Sequence, residues 1–142
     1  MRTPFIFFLL LIITCYAKAQ EFTSYENPLK TSLYSEALKD SVSLEITLPK
    51  ELKNQTNTEY PIIYLLDKQL CNNYKYNLYT IDYLSTLQWM PNAIIVGITF
   101  PGNNRTSWTV PNVSGGKADD LILFIQKELN SELSKKYPIS DF

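Results

Sequence analysis

Two stretches of the chain are apolar without interruption, and they constrain the fold more than any other feature. Residues 60–66 have the sequence YPIIYLL, and residues 92–99 have the sequence NAIIVGIT, so neither stretch offers a polar side to water. Strands that are apolar on both faces belong inside a sheet that helices cover on both sides, which is the layout of α/β proteins. The sequence therefore predicts two buried strands of a parallel sheet.

An antiparallel hairpin and a polar loop precede the first of these strands. Residues 42–48 alternate between aliphatic and polar side chains, which is the pattern of a half-buried strand. Residues 31–38 are the predicted partner strand, and residues 39–41 (KDS) are the predicted turn between the two. Residues 50–59 are polar and predict a loop.

Two helices are predicted on either side of the second apolar strand. Residues 74–89 carry tyrosines at helical spacing, which predicts a helix that packs these rings on the sheet, although exposed rings would also suit a sugar platform. A strand, a helix and a strand in this order form a right-handed βαβ unit. Residues 101–116 predict a long loop, and residues 117–137 predict a second helix with acidic residues in its first turn and lysines in its last.

The first nineteen residues resemble a secretory signal peptide. Met1 and Arg2 give a positive start, residues 5–16 form an apolar run too short for a stable membrane span, and residues 17–19 (AKA) suit a signal peptidase. We therefore expect residues 1–19 to be removed, residues 20–30 to form a linker, and the chain to be exported to the periplasm or the exterior. An uncleaved anchor and lipoprotein processing at Cys15 are alternatives, and Thr14 fits a lipobox poorly.

The composition excludes several kinds of site. The chain has no histidine, so it can build neither a Ser-His-Asp triad nor a histidine metal site, and it has no C-x-x-C pair for zinc. We therefore expect no metal and no cofactor. The formal net charge of −1 gives no basic surface for nucleic acid. Cys71 would be the one cysteine remaining after export, and we expect it to be a buried thiol without a disulfide.

Four motifs, in order along the chain, are similar to motifs of one enzyme family. They are residues 60–67 (YPIIYLLD, similar to "YPVLYLLDG"), residues 90–98 (MPNAIIVGI, similar to "MPEMIVVGI"), residues 104–111 (similar to the "NRTRDLTP" loop) and residues 114–129 (similar to the "SGGAxxFLxFIxxEL" helix). The family is an esterase family of α/β-hydrolases that includes ferric-enterobactin esterase-like and esterase D-like enzymes. The resemblance covers roughly residues 33–142.

This resemblance implies an incomplete α/β-hydrolase sheet, in which an antiparallel hairpin leads into a βαβα unit and the chain stops before the nucleophile elbow. The family hydrolyses small-molecule carboxylic esters with a serine in a G-x-S-x-G turn, and its acid and histidine follow later. We therefore expect residues 31–142 to be the N-terminal part of a secreted serine esterase that is inactive alone. The alternatives are a secreted non-catalytic binding module and a subunit completed by a second polypeptide that carries the missing C-terminal half.

The resemblance also implies the few site residues that this chain can hold, and none of them is catalytic. The loop after the third strand normally provides one backbone donor of the oxyanion hole. Here that loop contains Lys68 and Gln69, so their N–H groups are the candidate donors, although Lys68 replaces the family's glycine. Arg105 is a candidate on the substrate side, where it could pair with a carboxylate or remain solvated. Ser107 and Trp108 stand where the family has an Arg-Asp pair.

Ser114 and Lys117 match S-x-x-K, the serine-lysine signature of penicillin-binding enzymes. The companion S-D-N and K-T-G motifs are absent, and two glycines lie between the serine and the lysine. A flexible turn that caps the second helix is therefore the preferred interpretation.

Overall fold

A four-stranded mixed sheet with the strand order β1-β2-β4-β3 organises the chain. The computed structural model describes residues 24–54, 57–102 and 104–140. The strands are β1 (Leu29–Ser35), β2 (Asp40–Thr47), β3 (Ile62–Leu65) and β4 (Ile94–Thr99). β1, β2 and β4 pair antiparallel, and β3 pairs parallel to β4. The predicted signal peptide, the Cys15 alternative and the start of the predicted linker lie outside the described residues.

Helices cover both faces of this sheet. The side chains of β4 alternate between the two faces, so they pack against helices on both sides. Ile94, Val96 and Ile98 join a core with the C-terminal helical residues. Ile95 joins a second core with Leu78 and other residues of the first helix. β4 is thus enclosed on both sides, whereas β3 lies at the sheet's edge and is fully buried only at Ile62. This arrangement confirms the predicted α/β fold.

The predicted hairpin forms, but its turn comes earlier than residues 39–41. Ser35 pairs with Asp40, so residues 36–39 form the turn. The N–H of Leu38 donates to Ser35 Oγ at 3.0 Å, and Lys39 has a left-handed φ of 54°. Leu38 lies in the turn and is fully buried. Because an apolar residue at this position resembles the end of a strand, the predicted strand 31–38 is longer than the observed β1.

The first helix, α1 (Cys71–Thr86), forms as predicted but buries a different face. Tyr74, Leu78 and Ile81 face the sheet. Tyr74 packs on the sheet as predicted, but Tyr76 and Tyr83 are 71% and 59% exposed, so the prediction is wrong for these two rings. Two faces of the helix carry apolar side chains at the same spacing, and the buried face is the one that Tyr74 shares with Leu78 and Ile81.

The buried environment predicted for Cys71 is also wrong. Cys71 is the first residue of α1, and its side chain is exposed. Cysteine is usually buried in proteins, but the buried face of this helix begins only at Tyr74.

Short helices occupy two regions that were predicted to be loops. A 3₁₀ turn spans Lys50–Lys53, and the region 101–116 contains α2 (Asn104–Thr109) followed by a 3₁₀ turn at Asn112–Ser114. The second region is mostly polar, but one of its side chains packs in the core. Trp108 is almost completely buried and packs edge-to-face on Phe100, with ring centroids 5.6 Å apart.

The second predicted helix is one continuous segment, comprising α3 (Ala118–Leu123), a π-helical turn (Phe124–Leu129) and α4 (Asn130–Ser134). Its apolar side chains complete the core that contains Ile94. The helix begins in the predicted turn, with Lys117 as its N-cap residue, but no side chain of that turn caps it. The Asn112 Oδ1 atom instead accepts a hydrogen bond from the Asp119 N–H at 3.1 Å. No helix in the described part of the chain is long and apolar enough to cross a membrane.

Candidate functional site

The sequence-predicted site residues meet at the end of the sheet where β3 leads into α1. Asp67 has a left-handed φ of 60°, and the N–H of Leu70 donates to its carbonyl oxygen at 2.8 Å. Aspartate tolerates this backbone region better than most residues do. Lys68 is not among the described residues with positive φ. The turn therefore does not require the family's glycine at position 68, because Asp67 takes the unusual conformation instead.

The two candidate oxyanion donors differ in their hydrogen bonds. The backbone N–H of Lys68 donates to the carbonyl oxygen of Ile98 at 3.1 Å, so that donor is already used. The N–H of Gln69 has no backbone acceptor within residues 24–54, 57–102 and 104–140. Of the two candidates, Gln69 is therefore the one with a free donor, and its role towards an oxyanion stays a prediction.

The side chain of Gln69 ties the turn to the end of β4. Its Nε2 atom donates to Asp67 Oδ1 at 2.9 Å. Its Oε1 atom accepts a hydrogen bond from the backbone N–H of Phe100 at 3.0 Å. The amide thereby bridges the turn after β3 and the residue after β4, which orients the backbone of Gln69 at the edge of the sheet.

Arg105 joins the same cluster from α2. Its Nε atom donates to Asp67 Oδ1 at 2.7 Å, and this hydrogen bond, followed by the attraction between the charges, raises the pKa of Arg105. The arginine side chain is 56% exposed, so solvent weakens the pair. Of the two alternatives for Arg105, the structure shows the pair with a carboxylate, that of Asp67. The sequence does not indicate this partner, because the two residues are 38 positions apart.

A second ion pair lies beneath the turn and was missed from the sequence. Lys68 Nζ is 2.8 Å from Glu45 Oε2, and these side chains are only 25% and 11% exposed. Glu45 lies on β2, at an alternating polar position that predicts a solvent-facing side chain. It is buried because α1 and the turn cover that face of the sheet. In the sequence, the one indication of this ion pair is the lysine at position 68, where the family has a glycine.

A pocket of about 190 Å³ opens beside this ion pair. Its polar wall contains Glu45, Lys68 and Tyr74, and Cys71 lies at its border. Burial, followed by the negative charge of Glu45, raises the pKa of Tyr74 to about 12. The Tyr74 hydroxyl makes no hydrogen bond of normal geometry with a described residue, and the same is true of Thr47. At neutral pH the phenol therefore keeps its proton and cannot act as a base.

The S-x-x-K match does not form a nucleophile-base pair in the described structure. The Nζ atom of Lys117 donates to the backbone carbonyl oxygen of Leu38 at 2.9 Å, so this lysine holds the hairpin turn. Ser114 is exposed within its 3₁₀ turn. Among the described residues, no group of three or more Cys, Asp or Glu side chains could hold a metal ion.

Comparisons with known proteins identify the family of this chain. The family model described as "Putative esterase" matches residues 35–141. The chain belongs to this esterase family. None of the curated proteins compared with the chain matches it in sequence.

Solved structures of a serine hydrolase and of esterases share the fold. An IroE-like serine hydrolase from Shewanella oneidensis is 26% identical with a TM-score of 0.67, over 80% of this chain and 40% of its own. Ferric enterobactin esterase from Salmonella typhimurium is 24% identical with a TM-score of 0.64, over 88% and 31%. A CE1 ferulic acid esterase from Anaeromyces mucronatus, solved with ferulic acid, is 21% identical with a TM-score of 0.62, over 89% and 48%. The esterase-family chain thus spans less than half of each of these structures.

Proposed function

We propose that this chain is the N-terminal part of a secreted serine esterase and does not hydrolyse esters by itself. The carrying observation is that an esterase-family match over residues 35–141 occurs in a chain without any histidine. The family's chemistry needs a base that deprotonates a serine, and no G-x-S-x-G turn can be built from the four glycines at positions 97, 102, 115 and 116.

The remaining titratable groups near the site do not replace a histidine. Lys68 is paired with Glu45, and Lys117 donates to a backbone carbonyl group. The phenol of Tyr74 has a pKa of about 12. A general base works best when its pKa lies near the working pH, so the Tyr74 phenol does not suit the activation of a serine near neutral pH, and both lysines are engaged by other partners.

The contribution of this chain to catalysis would then be structural. It supplies the sheet, the turn that presents the Gln69 N–H as one oxyanion donor, and the Arg105–Asp67 pair beside it. The substrate class is a small-molecule carboxylic ester. Serine, acid and histidine would come from the C-terminal half of the esterase.

The outer edge of β3 supports a second proposal, that the chain acts as a subunit completed by another polypeptide. The Tyr60 N–H donates to the Pro138 carbonyl oxygen at 2.9 Å, and the Ser140 N–H donates to the Tyr60 carbonyl oxygen at 3.1 Å. Tyr60 and Ile139 thus begin a parallel pairing, but within the described residues no strand follows it along β3 (Ile62–Leu65). An open strand edge is a template for another strand. The contacts give no comparable support to a non-catalytic binding module.

The experiment measures hydrolysis of short-chain nitrophenyl esters by the purified chain, alone and with a polypeptide that carries the C-terminal half of an esterase of this family. Activity in the mixture but not in either part supports completion in trans. Activity of the chain alone contradicts the proposal. Export is proposed on the signal-peptide pattern of residues 1–19.

A further inference from the structure

We propose that Glu45 and Lys68 are positioning residues, whose partly buried ion pair holds the turn after β3 in the conformation that leaves the Gln69 N–H free. This inference rests on the proposed function only in assigning that N–H to an oxyanion. The positioning itself is a property of this fold, and it can be measured without any esterase activity.

The turn has a conformation that its neighbours must maintain. Asp67 lies in the left-handed region, which non-glycine residues occupy at a cost and keep only where the surroundings enforce it. On either side of Gln69, the Lys68 N–H donates to the Ile98 carbonyl oxygen and the Leu70 N–H donates to the Asp67 carbonyl oxygen. These two hydrogen bonds direct the intervening N–H away from the backbone acceptors of the sheet.

The Glu45–Lys68 ion pair connects this turn to β2, a strand that is not adjacent to β3. Glu45 is on β2, where it pairs with Gly97 of β4, and its carboxylate reaches Lys68 at 2.8 Å. The ion pair therefore spans three neighbouring strands, from the turn after β3 across β4 to β2. Both side chains are mostly buried, so loss of one leaves the other charge without its partner.

The Arg105–Asp67 ion pair is weaker, because its arginine is more exposed to solvent. Arg105 reaches Asp67 at 2.7 Å, but the arginine side chain is 56% exposed and its charge is well solvated. Exposed ion pairs contribute little to rigidity, because water competes for both charges and salt screens them. Opening of the turn should therefore depend on the Glu45–Lys68 pair more than on the Arg105–Asp67 pair.

The test is amide hydrogen exchange at single-residue resolution in the full 142-residue chain, with global stability measured in parallel. In the parent chain the Lys68 and Leu70 amides should be protected, and the Gln69 amide should exchange quickly. Lys68→Met, which keeps most of the aliphatic stem, and Glu45→Gln should each increase exchange at Lys68 and Leu70 by about tenfold or more relative to the β1–β2 hairpin. Lys53→Met is the matched control, because it makes the same change outside the reference hairpin, at an ion pair whose side chains are 70% and 34% exposed.

Two further variants separate positioning from general stability. The reversed pair, Glu45→Lys with Lys68→Glu, should restore protection, and the Arg105→Met change should have a smaller effect than Lys68→Met. If the single variants do not fold, the double variant Glu45→Gln with Lys68→Met leaves no unpaired charge and should still show fast exchange at the turn. The inference is wrong if protection at Lys68 and Leu70 is unchanged, if exchange rises equally throughout the sheet, or if the parent Gln69 amide is as protected as its neighbours.

Discussion

Replacement of Gly97 by alanine tests the packing of α1 on the central strand. A Cβ atom at this position would lie 2.6 Å from Cε2 and 2.7 Å from the hydroxyl of Tyr74, closer than such atoms approach in proteins. Overpacking of this kind costs roughly 1–3 kcal/mol, and the lower chain entropy of alanine in a strand offsets about 0.5–1 kcal/mol of it. We expect Gly97→Ala to lower the free energy of unfolding by about 1–2 kcal/mol.

The same change should behave differently without the tyrosine ring. In a Tyr74→Leu background the clashing atoms are gone, so Gly97→Ala should be neutral or stabilising by up to about 1 kcal/mol. Urea unfolding of dilute protein, followed through the fluorescence of buried Trp108, measures both values. Gly102→Ala is the control, because its φ of 52° strains any side chain while no atom lies near enough to clash. An equal cost of Gly97→Ala in both backgrounds would refute the packing argument.

Two further predictions come from the structure and one from the sequence. Because burial raises the pKa of Tyr74 to about 12, its contribution to stability should be complete below pH 10 and lost as the pH rises towards 12, and Tyr74→Phe should reduce that decline in an unfolding titration. Exported protein should begin at Gln20 by mass spectrometry, and a lipid on Cys15 or a retained Met1 would contradict the export proposal. The isolated chain, whose outer β3 edge has no partner strand among the described residues, should bind the dye ANS and aggregate as its concentration rises, whereas the C-terminal half of an esterase should prevent both; a chain that stays monomeric without dye binding at every concentration would contradict this.

The fold could be predicted from the sequence where one physical effect dominates. The apolar run from Ile94 to Ile98 has no polar side chain to expose, so a central strand is its simplest solution. The buried face of α1 could not be predicted in this way, since tyrosines and aliphatic residues both recur at helical spacing. The position of Gly97 beneath the ring of Tyr74 decides between the faces, and that contact joins elements separated in the sequence.

The candidate site could be predicted only in its location. The motif after β3 placed Lys68 and Gln69 in the turn, but their hydrogen bonds depend on Ile98 and Phe100, which come from the next strand. The burial of Glu45 depends on α1, which covers what is otherwise a polar position of β2. Such contacts between distant segments leave no periodic pattern in the sequence.

Ester hydrolysis by the purified chain is the most direct test of the central claim, that this esterase-family chain carries no complete catalytic machinery. The account predicts that nitrophenyl acetate is hydrolysed no faster than by the heat-denatured chain, because the chain has no histidine to deprotonate a serine. Turnover that survives the Ser114→Ala change would contradict the account. Turnover that disappears with Ser114→Ala would contradict it equally, and would make Ser114 the candidate nucleophile.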